Sequence, residues 1–262
     1  MCGRYASSRS DAELVEAHAV DTVVGEELRP SWNVAPTQPV RVVVEREPED
    51  QPGGGRGDDG GARPQRQLRT VRWGLVPSWA KDPSVGSRMI NARVETVTEK
   101  PAYRRAAAHR RCLLPADGYF EWEQREVPGA RGPKVVKVPH FLHDPDGAPM
   151  AFAGLYELWK DPAAADGEDP WRWTATVITT QATDAAGRIH DRSPLVLPQD
   201  FQDDWLDPAL TDLDLVRQVL DAVPPPRLVP REVGRAVGSV RNDGPQLVLP
   251  LSELDGQDAA DR

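Results

Sequence analysis

Cys112-Leu-Leu-Pro-Ala-Asp-Gly-Tyr-Phe-Glu-Trp122 is dense in apolar and aromatic residues and reads as an extended, strand-forming segment. Strand signals recur on both sides of it. Upstream, residues 40–45 (VRVVVE) are rich in β-branched side chains, and residues 68–73 form a second candidate. Downstream, residues 135–142, 149–155 and 173–179 read as further strands, with Val237, Val240 and residues 247–251 as closing ones. Helical signals are fewer. Ser10 and Glu13 have capping-box spacing at the head of a segment over residues 10–20, with Leu14, Ala17 and Val20 on one face. Residues 103–111 read as a short basic helix, and residues 199–223 as helix broken near Asp207-Pro208. Many short strands with few helices imply an α+β, mainly β fold: one domain over residues 1–254, built around a curled sheet or barrel. A polar tail over 255–262 follows.

Composition narrows the function classes. The chain has 262 residues, with 32 Lys+Arg against 41 Asp+Glu, a net charge of −9. That excludes a global basic field for nucleic acid, so a polyanion would have to be held by a local arginine cluster. Two cysteines, Cys2 and Cys112, exclude a disulfide framework and a paired-CxxC zinc site. No apolar run reaches the roughly 18 residues of a membrane span, and charges interrupt the N-terminal stretch where a signal peptide would need an apolar core. The expectation is an intracellular chain with no membrane association and no metal or cofactor. Residues 48–67 hold mostly Gly, Pro, Asp, Arg and Gln and read as a disordered insertion. Within it, Gly55-Arg-Gly57-Asp-Asp-Gly60 matches G-x-G-x-x-G, but Asp58 and Asp59 would repel phosphate and no apolar helix follows.

Several residues carry candidate chemistry. Removal of Met1 would leave Cys2 with a free α-amine beside its thiol. These groups titrate near about 8 and 8.5, so both react at neutral pH. With an aldehyde, the amine gives a Schiff base and the thiolate closes a five-membered thiazolidine. An incidental terminal cysteine is the plainer reading of position alone, but Gly3-Arg4-Tyr5 does not resemble a frayed tail. Cys112 reads as a small core residue. Among five histidines, His190 stands out in Arg188-Ile-His-Asp-Arg-Ser-Pro194, a polar turn before apolar residues. Glu121 lies between two aromatics. Desolvation there would favour its neutral form and suit proton transfer, whereas strand alternation would leave it in solvent. Met89-Ile-Asn-Ala-Arg-Val-Glu-Thr96 alternates as a strand, with Asn91, Arg93 and Glu95 on one face. Trp32, Trp73 and Trp79, interleaved with Arg4, Arg29, Arg72, Arg93 and Arg192, are the ingredients of a stacking and phosphate-binding surface, or of a core with surface arginines.

Taken together, seven stretches resemble the SRAP (SOS-response-associated peptidase) family: Met1-Cys-Gly-Arg4, Asn33-Val-Ala-Pro36, Trp73-Gly74 with Pro77, Asn91-Ala-Arg-Val-Glu-Thr96, Ala116-Asp-Gly-Tyr-Phe-Glu-Trp122, Ile189-His-Asp-Arg-Ser-Pro-Leu-Val-Leu197, and Arg235-Ala-Val-Gly238 with Val240 and Asn242. They run in the family's order along nearly the whole chain. The resemblance implies a sensor of abasic sites in single-stranded DNA. The aldehyde of the ring-opened sugar would be captured as a thiazolidine by Cys2 after self-removal of Met1. It implies Cys2 as nucleophile and Asn91 holding the amine or sugar. Glu121 would shuttle protons, and His190 would act as acid or base on the sugar oxygen. Arg4, Arg93 and Arg192 would hold phosphates, and Asn33, Pro36 and Trp79 would line the DNA groove. A monomer, cytoplasmic or nucleoid-associated, is implied. Ala80, where relatives can carry an aromatic, and the 48–67 insertion depart from the family pattern. Two other readings use the same residues: a cysteine peptidase acting on other proteins, and a non-covalent single-strand-binding module in which Cys2 is idle.

Overall fold

The computed structural model describes residues 2–47, 63–129 and 132–254. Thirteen strands lie among them: β1 (Tyr5–Ser7), β2 (Thr22–Val24), β3 (Ser31–Val34), β4 (Pro39–Arg46), β5 (Gln65–Trp73), β6 (Asn91–Arg93), β7 (Arg111–Ala116), β8 (Gly118–Val127), β9 (Lys134–His143), β10 (Met150–Lys160), β11 (Trp171–Gln181), β12 (Arg192–Pro194) and β13 (Val229–Glu232). Five α-helices accompany them: α1 (Asp11–Ala17), α2 (Arg104–His109), α3 (Asp184–Ile189), α4 (Gln199–Leu206) and α5 (Leu213–Ala222). Strands β11, β10, β7, β4 and β5 form one ladder. It closes on itself where β11 pairs in parallel with β5, Thr174 opposite Arg72 and Ala175 opposite Trp73. The result is a five-stranded barrel, which removes the exposed edges an open sheet would have. A second sheet, ordered β13-β9-β8-β1-β3, packs against it. The mainly β, α+β expectation is met. Among the described residues no helix is long and apolar enough to cross a membrane.

Strand β7 shows why the opening stretch lacks simple alternation. Cys112 and Leu114 join an inner cluster with Cys2, Tyr5, Trp73 and Phe152. Leu113 points the other way, into a cluster with Ala107, Trp205, Val216 and Leu220 beneath α2, α4 and α5. A strand buried on both faces reads as a continuous apolar run. Each additional buried leucine or phenylalanine contributes about 2 kcal/mol relative to exposure.

Several expectations are corrected. Residues 112–122 form not one strand but two, β7 and β8, in different sheets. The break is Asp117, whose N–H donates to the Ala6 carbonyl (2.8 Å) and whose carboxylate accepts from the Ser8 N–H (2.6 Å). The helix over 10–20 stops at Ala17; its capping box is present, but Ala17 is exposed and His18 is buried instead. Residues 65–67 belong to β5 rather than to an insertion, because Gln67 pairs with Val44 and Thr22. Residues 48–62 of that insertion, with the G-x-G-x-x-G match, and the 255–262 tail lie outside the described residues. The strand over 89–96 ends at Arg93 and turns into a 3-10 segment, Val94–Thr96. No strand closes the chain at 237–251. Short 3-10 segments, Arg235–Gly238 and Pro245–Val248, occupy that stretch, since Pro245 and Pro250 lack the ladder donor. The closing strand is β13.

Gly118 allows β8 and β9 to pair closely within the second sheet. A Cβ there would collide with the Phe141 ring and sit 2.7 Å from the Leu142 carbonyl oxygen. Gly118→Ala is therefore expected to destabilise the fold by about 1–3 kcal/mol through overpacking, read as a fall in Tm of several degrees; an unchanged Tm contradicts this packing.

Candidate active site

The segment that follows Met1 is not frayed. β1 pairs with both β3 and β8, Tyr5 opposite Val34 and Tyr119. The Phe120 N–H donates to the Arg4 carbonyl (2.9 Å). This pairing draws Cys2 into the inner cluster, where it is fully buried. Asn91 Nδ2 donates to the Cys2 carbonyl at 2.7 Å. Asn91 is itself well placed. The neighbouring Ile90 carbonyl accepts from Trp73 Nε1 and from the Val177 N–H, both at 3.0 Å, and Tyr103 Oη donates to the Asn91 carbonyl at 3.3 Å. β6 pairs in parallel with β11, which fixes its rotation. Asn91 Oδ1 is buried without a partner among the described residues.

Glu121 is buried, 6% exposed, so the environment among aromatics outweighs strand alternation. Burial raises its pKa above the usual carboxylate value, an effect that His190 opposes when its ring is protonated. Burial, reinforced by the Glu121 charge, likewise pushes the Cys2 thiol up, while the Arg4 N–H opposes it. Tyr119 is raised by burial and by the same two acids. Cys2, Glu121 and His190 thus share one electrostatic neighbourhood, although they lie far apart in sequence. His190 follows α3, which the sequence did not reveal, and is about one-third exposed. Its Nδ1 accepts from the Arg192 N–H at 3.0 Å and lies 2.9 Å from Asp191 Oδ1. A neutral ring accepting that bond carries its proton on Nε2.

The expected DNA-contacting residues divide into two groups. Trp79 is 66% exposed, Arg93 is exposed, and Pro36 is half-buried at the turn between β3 and β4. Arg4, Asn33 and Arg192 are engaged within the protein. Arg4 Nη1 donates to Asn33 Oδ1 (2.7 Å) and to the Val237 carbonyl (2.8 Å). The Asn33 amide holds the Ser239 and Asn242 carbonyls (3.0 and 2.7 Å). Arg192 forms a two-pronged pair with Glu95 (2.5 and 3.0 Å) and donates to the Thr179 carbonyl (2.6 Å). That pair holds the Glu95 carboxyl below its usual pKa. Arg217 Nη1 and Nη2 bind the Val94 and Glu95 carbonyls, each at 2.7 Å, and clamp the same turn. Sequence reasoning missed Tyr103, Asp191 and Arg217. Only Asp191 carried a signal, its adjacency to His190.

A family model described as SOS response associated peptidase (SRAP) matches residues 1–240. The chain belongs to the SRAP family. Abasic site processing protein YoqW of Bacillus subtilis (strain 168) is 34% identical over 249 residues, spanning 95% of this chain and 99% of that protein. Abasic site processing protein YedK of Escherichia coli (strain K12) is 28% identical over 257 residues, 96% and 100% of the two chains. The HMCES protein of Gallus gallus, of the same description, is 29% identical, with 96% of this chain and 78% of that one covered. A crystal structure of a Bacteroides thetaiotaomicron protein superposes with a TM-score of 0.70 at 22% identity, covering 95% of this chain and 99% of that one. The SRAP fold is thus shared by a sequence that has drifted far from this one.

The raised Glu121 pKa has a sign that stability measurements can read. The native state holds this proton more tightly than the unfolded chain does. Ionised Glu121 therefore weakens the fold as pH rises past about 4.5, and the penalty is complete above the folded pKa. Glu121→Gln is expected to raise Tm at pH 8 by about 2–4 °C for each kcal/mol removed, with the gain shrinking toward pH 4. A gain of equal size at both pH values, or a loss at pH 8, contradicts the assignment.

Proposed function

We propose that this chain processes abasic sites in single-stranded DNA by capturing them covalently at Cys2. Hydrolysis of the Met1–Cys2 peptide bond, consuming one water, frees the α-amine. The amine adds to the aldehyde of the ring-opened sugar and loses water to give an imine. The thiol then adds to the imine carbon: a C–S bond forms, the C=N bond becomes single, and nitrogen takes the proton that sulfur releases. The sum is aminothiol plus aldehyde giving thiazolidine plus water, with no change of oxidation state and no cofactor required.

Each side chain supports a step. Burial keeps the thiol protonated until a base takes its proton, so thiol addition and proton transfer must be coupled. Glu121, its pKa raised above the usual carboxylate range by burial, is suited to supply the proton for water loss and to take the sulfur's proton afterward. His190, more exposed, is the acid or base for the sugar ring oxygen. Asn91 fixes the Cys2 carbonyl, and its Oδ1, without a partner among the described residues, is an acceptor for the freed amine. The observation that carries the reading is the burial of Cys2 with its carbonyl on Asn91 and its thiol in the field of Glu121. An idle terminal cysteine needs none of these. The printed names of the relatives, abasic site processing proteins, point the same way. Arg93 and Trp79 are the exposed members of the expected DNA-contacting set. Arg192 reaches a phosphate by exchanging Glu95 for it, and Arg4 with Asn33 shapes the 237–242 turn. A net charge of −9 keeps non-covalent grip weak, which covalent capture tolerates because it needs only transient residence.

Incubation with an abasic oligonucleotide is expected to give a product stable on a denaturing gel. Cys2→Ala abolishes it, and intact mass shows that the starting protein lacks Met1. Glu121→Gln and His190→Ala are expected to slow its formation by about 100-fold or more, the scale of lost acid–base catalysis. Undiminished product with Cys2→Ala would falsify the proposal.

A further inference from the structure

Beyond the Cys2 neighbourhood the molecule carries a cleft of about 490 Å³, at the end of the barrel where β5 and β11 pair. We propose that this cleft is a stacking subsite for a nucleotide of the single strand lying beyond the lesion, with Trp171 as the platform and Arg72 as the phosphate contact. The inference rests on the DNA-capture reading and assigns residues that play no part in the chemistry at Cys2.

Position is the first argument. The cleft is bordered by the two turns that carry the expected DNA-groove residues. Thr37, which follows Pro36, lines it; the Trp159 indole, in its wall, donates to the Ala80 carbonyl at 2.7 Å and so anchors the loop bearing Trp79. Thr37 has φ 72°, a left-handed conformation that is uncommon for a β-branched residue. Its N–H bonds to the Trp73 carbonyl at 2.9 Å, which holds the turn against the barrel rim. A strand passing between Pro36 and Trp79 therefore meets this cleft next.

The second argument is chemistry. Trp171 is 46% exposed, an unusual state for a tryptophan. Trp173, two residues along β11, has no such freedom: Tyr156 stacks on it at 5.1 Å and 15°, and the Arg69 and Arg46 guanidinium carbons lie 3.9 and 5.2 Å from its ring centroid. The wall beside the free ring is therefore rigid. Arg72 is exposed and makes no ion pair among the described residues, in contrast to Arg172, which is paired with Asp161. Of the charged side chains that line the cleft, Arg172 is neutralised by Asp161, so Arg72 is the uncompensated cation in a chain of net charge −9. An open indole beside one uncompensated guanidinium complements a nucleotide, whose base stacks on any aromatic face regardless of sequence and whose phosphate takes the cation.

The test uses two readouts on the full chain. Fluorescence anisotropy of labelled, undamaged oligo-dT reports non-covalent binding without capture, and the variants isolate the share of the cleft. Crosslinking rates on abasic oligonucleotides with short or long flanks, at limiting DNA, report its contribution to capture. Trp171→Ala is expected to weaken oligo-dT binding at least about 5-fold, the lower end of a lost base stack. It should also erase the rate advantage of long flanks while leaving the short substrate at the wild-type rate. Arg72→Gln, a milder change should Trp171→Ala fail to fold, should lower the salt dependence of oligo-dT binding by about 0.7 in log–log slope. Unchanged oligo-dT affinity and salt slope in the variants, or a wild-type chain that binds no oligo-dT, overturns the subsite. If the wild type binds oligo-dT through Trp171 yet forms no adduct, the subsite stands and covalent capture fails.

Discussion

The hydrogen bond from Asn91 to the Cys2 carbonyl is the constraint on which the site depends. It links the start of the chain to a three-residue strand docked on β11, and so to the barrel. Without it, residue 2 would be held by the packing of its side chain and by the β1 pairings two or three residues away. With it, a backbone position that most chains leave in solvent becomes part of the core. Everything reactive at residue 2 then inherits the rigidity of the barrel wall, the supporting shell that a positioned nucleophile needs.

Burying these groups works against stability. The thiol and carboxyl each lose hydration, and both pKa values move toward the neutral form. The structure tolerates this because the backbone around them is satisfied. The Ile90 carbonyl has two donors, the Arg4 carbonyl has Phe120, and the 237–242 turn is held by Arg4 and Asn33.

Much of this was legible in the sequence, for identifiable reasons. Strand runs such as Val40 to Glu45 and the Ser10/Glu13 capping box are local signals, and the fold uses them as written. The unusual composition around Cys2, Glu121 and His190 singled out side chains that the fold then gathers. What could not be read was set by tertiary contacts. Asp117 breaks an apparently continuous strand because Ala6 and Ser8 supply its partners from over a hundred residues away. Residues 237–251 look like strands by their apolar spacing, yet Val237 and Leu247 plug a cluster around Phe120 and Phe141 from 3-10 turns. The occupation of Arg192 by Glu95 is likewise invisible, since the sequence gives two charged residues but not their separation.

The most direct test of the central claim is tandem mass spectrometry of the adduct after nuclease and protease digestion. The account predicts a peptide beginning at Cys2 that carries the sugar remnant on both nitrogen and sulfur, so that neither an amine-labelling reagent nor a thiol alkylator modifies that residue. A remnant on a lysine or on Cys112, or an adducted peptide that still begins with Met1, would contradict it.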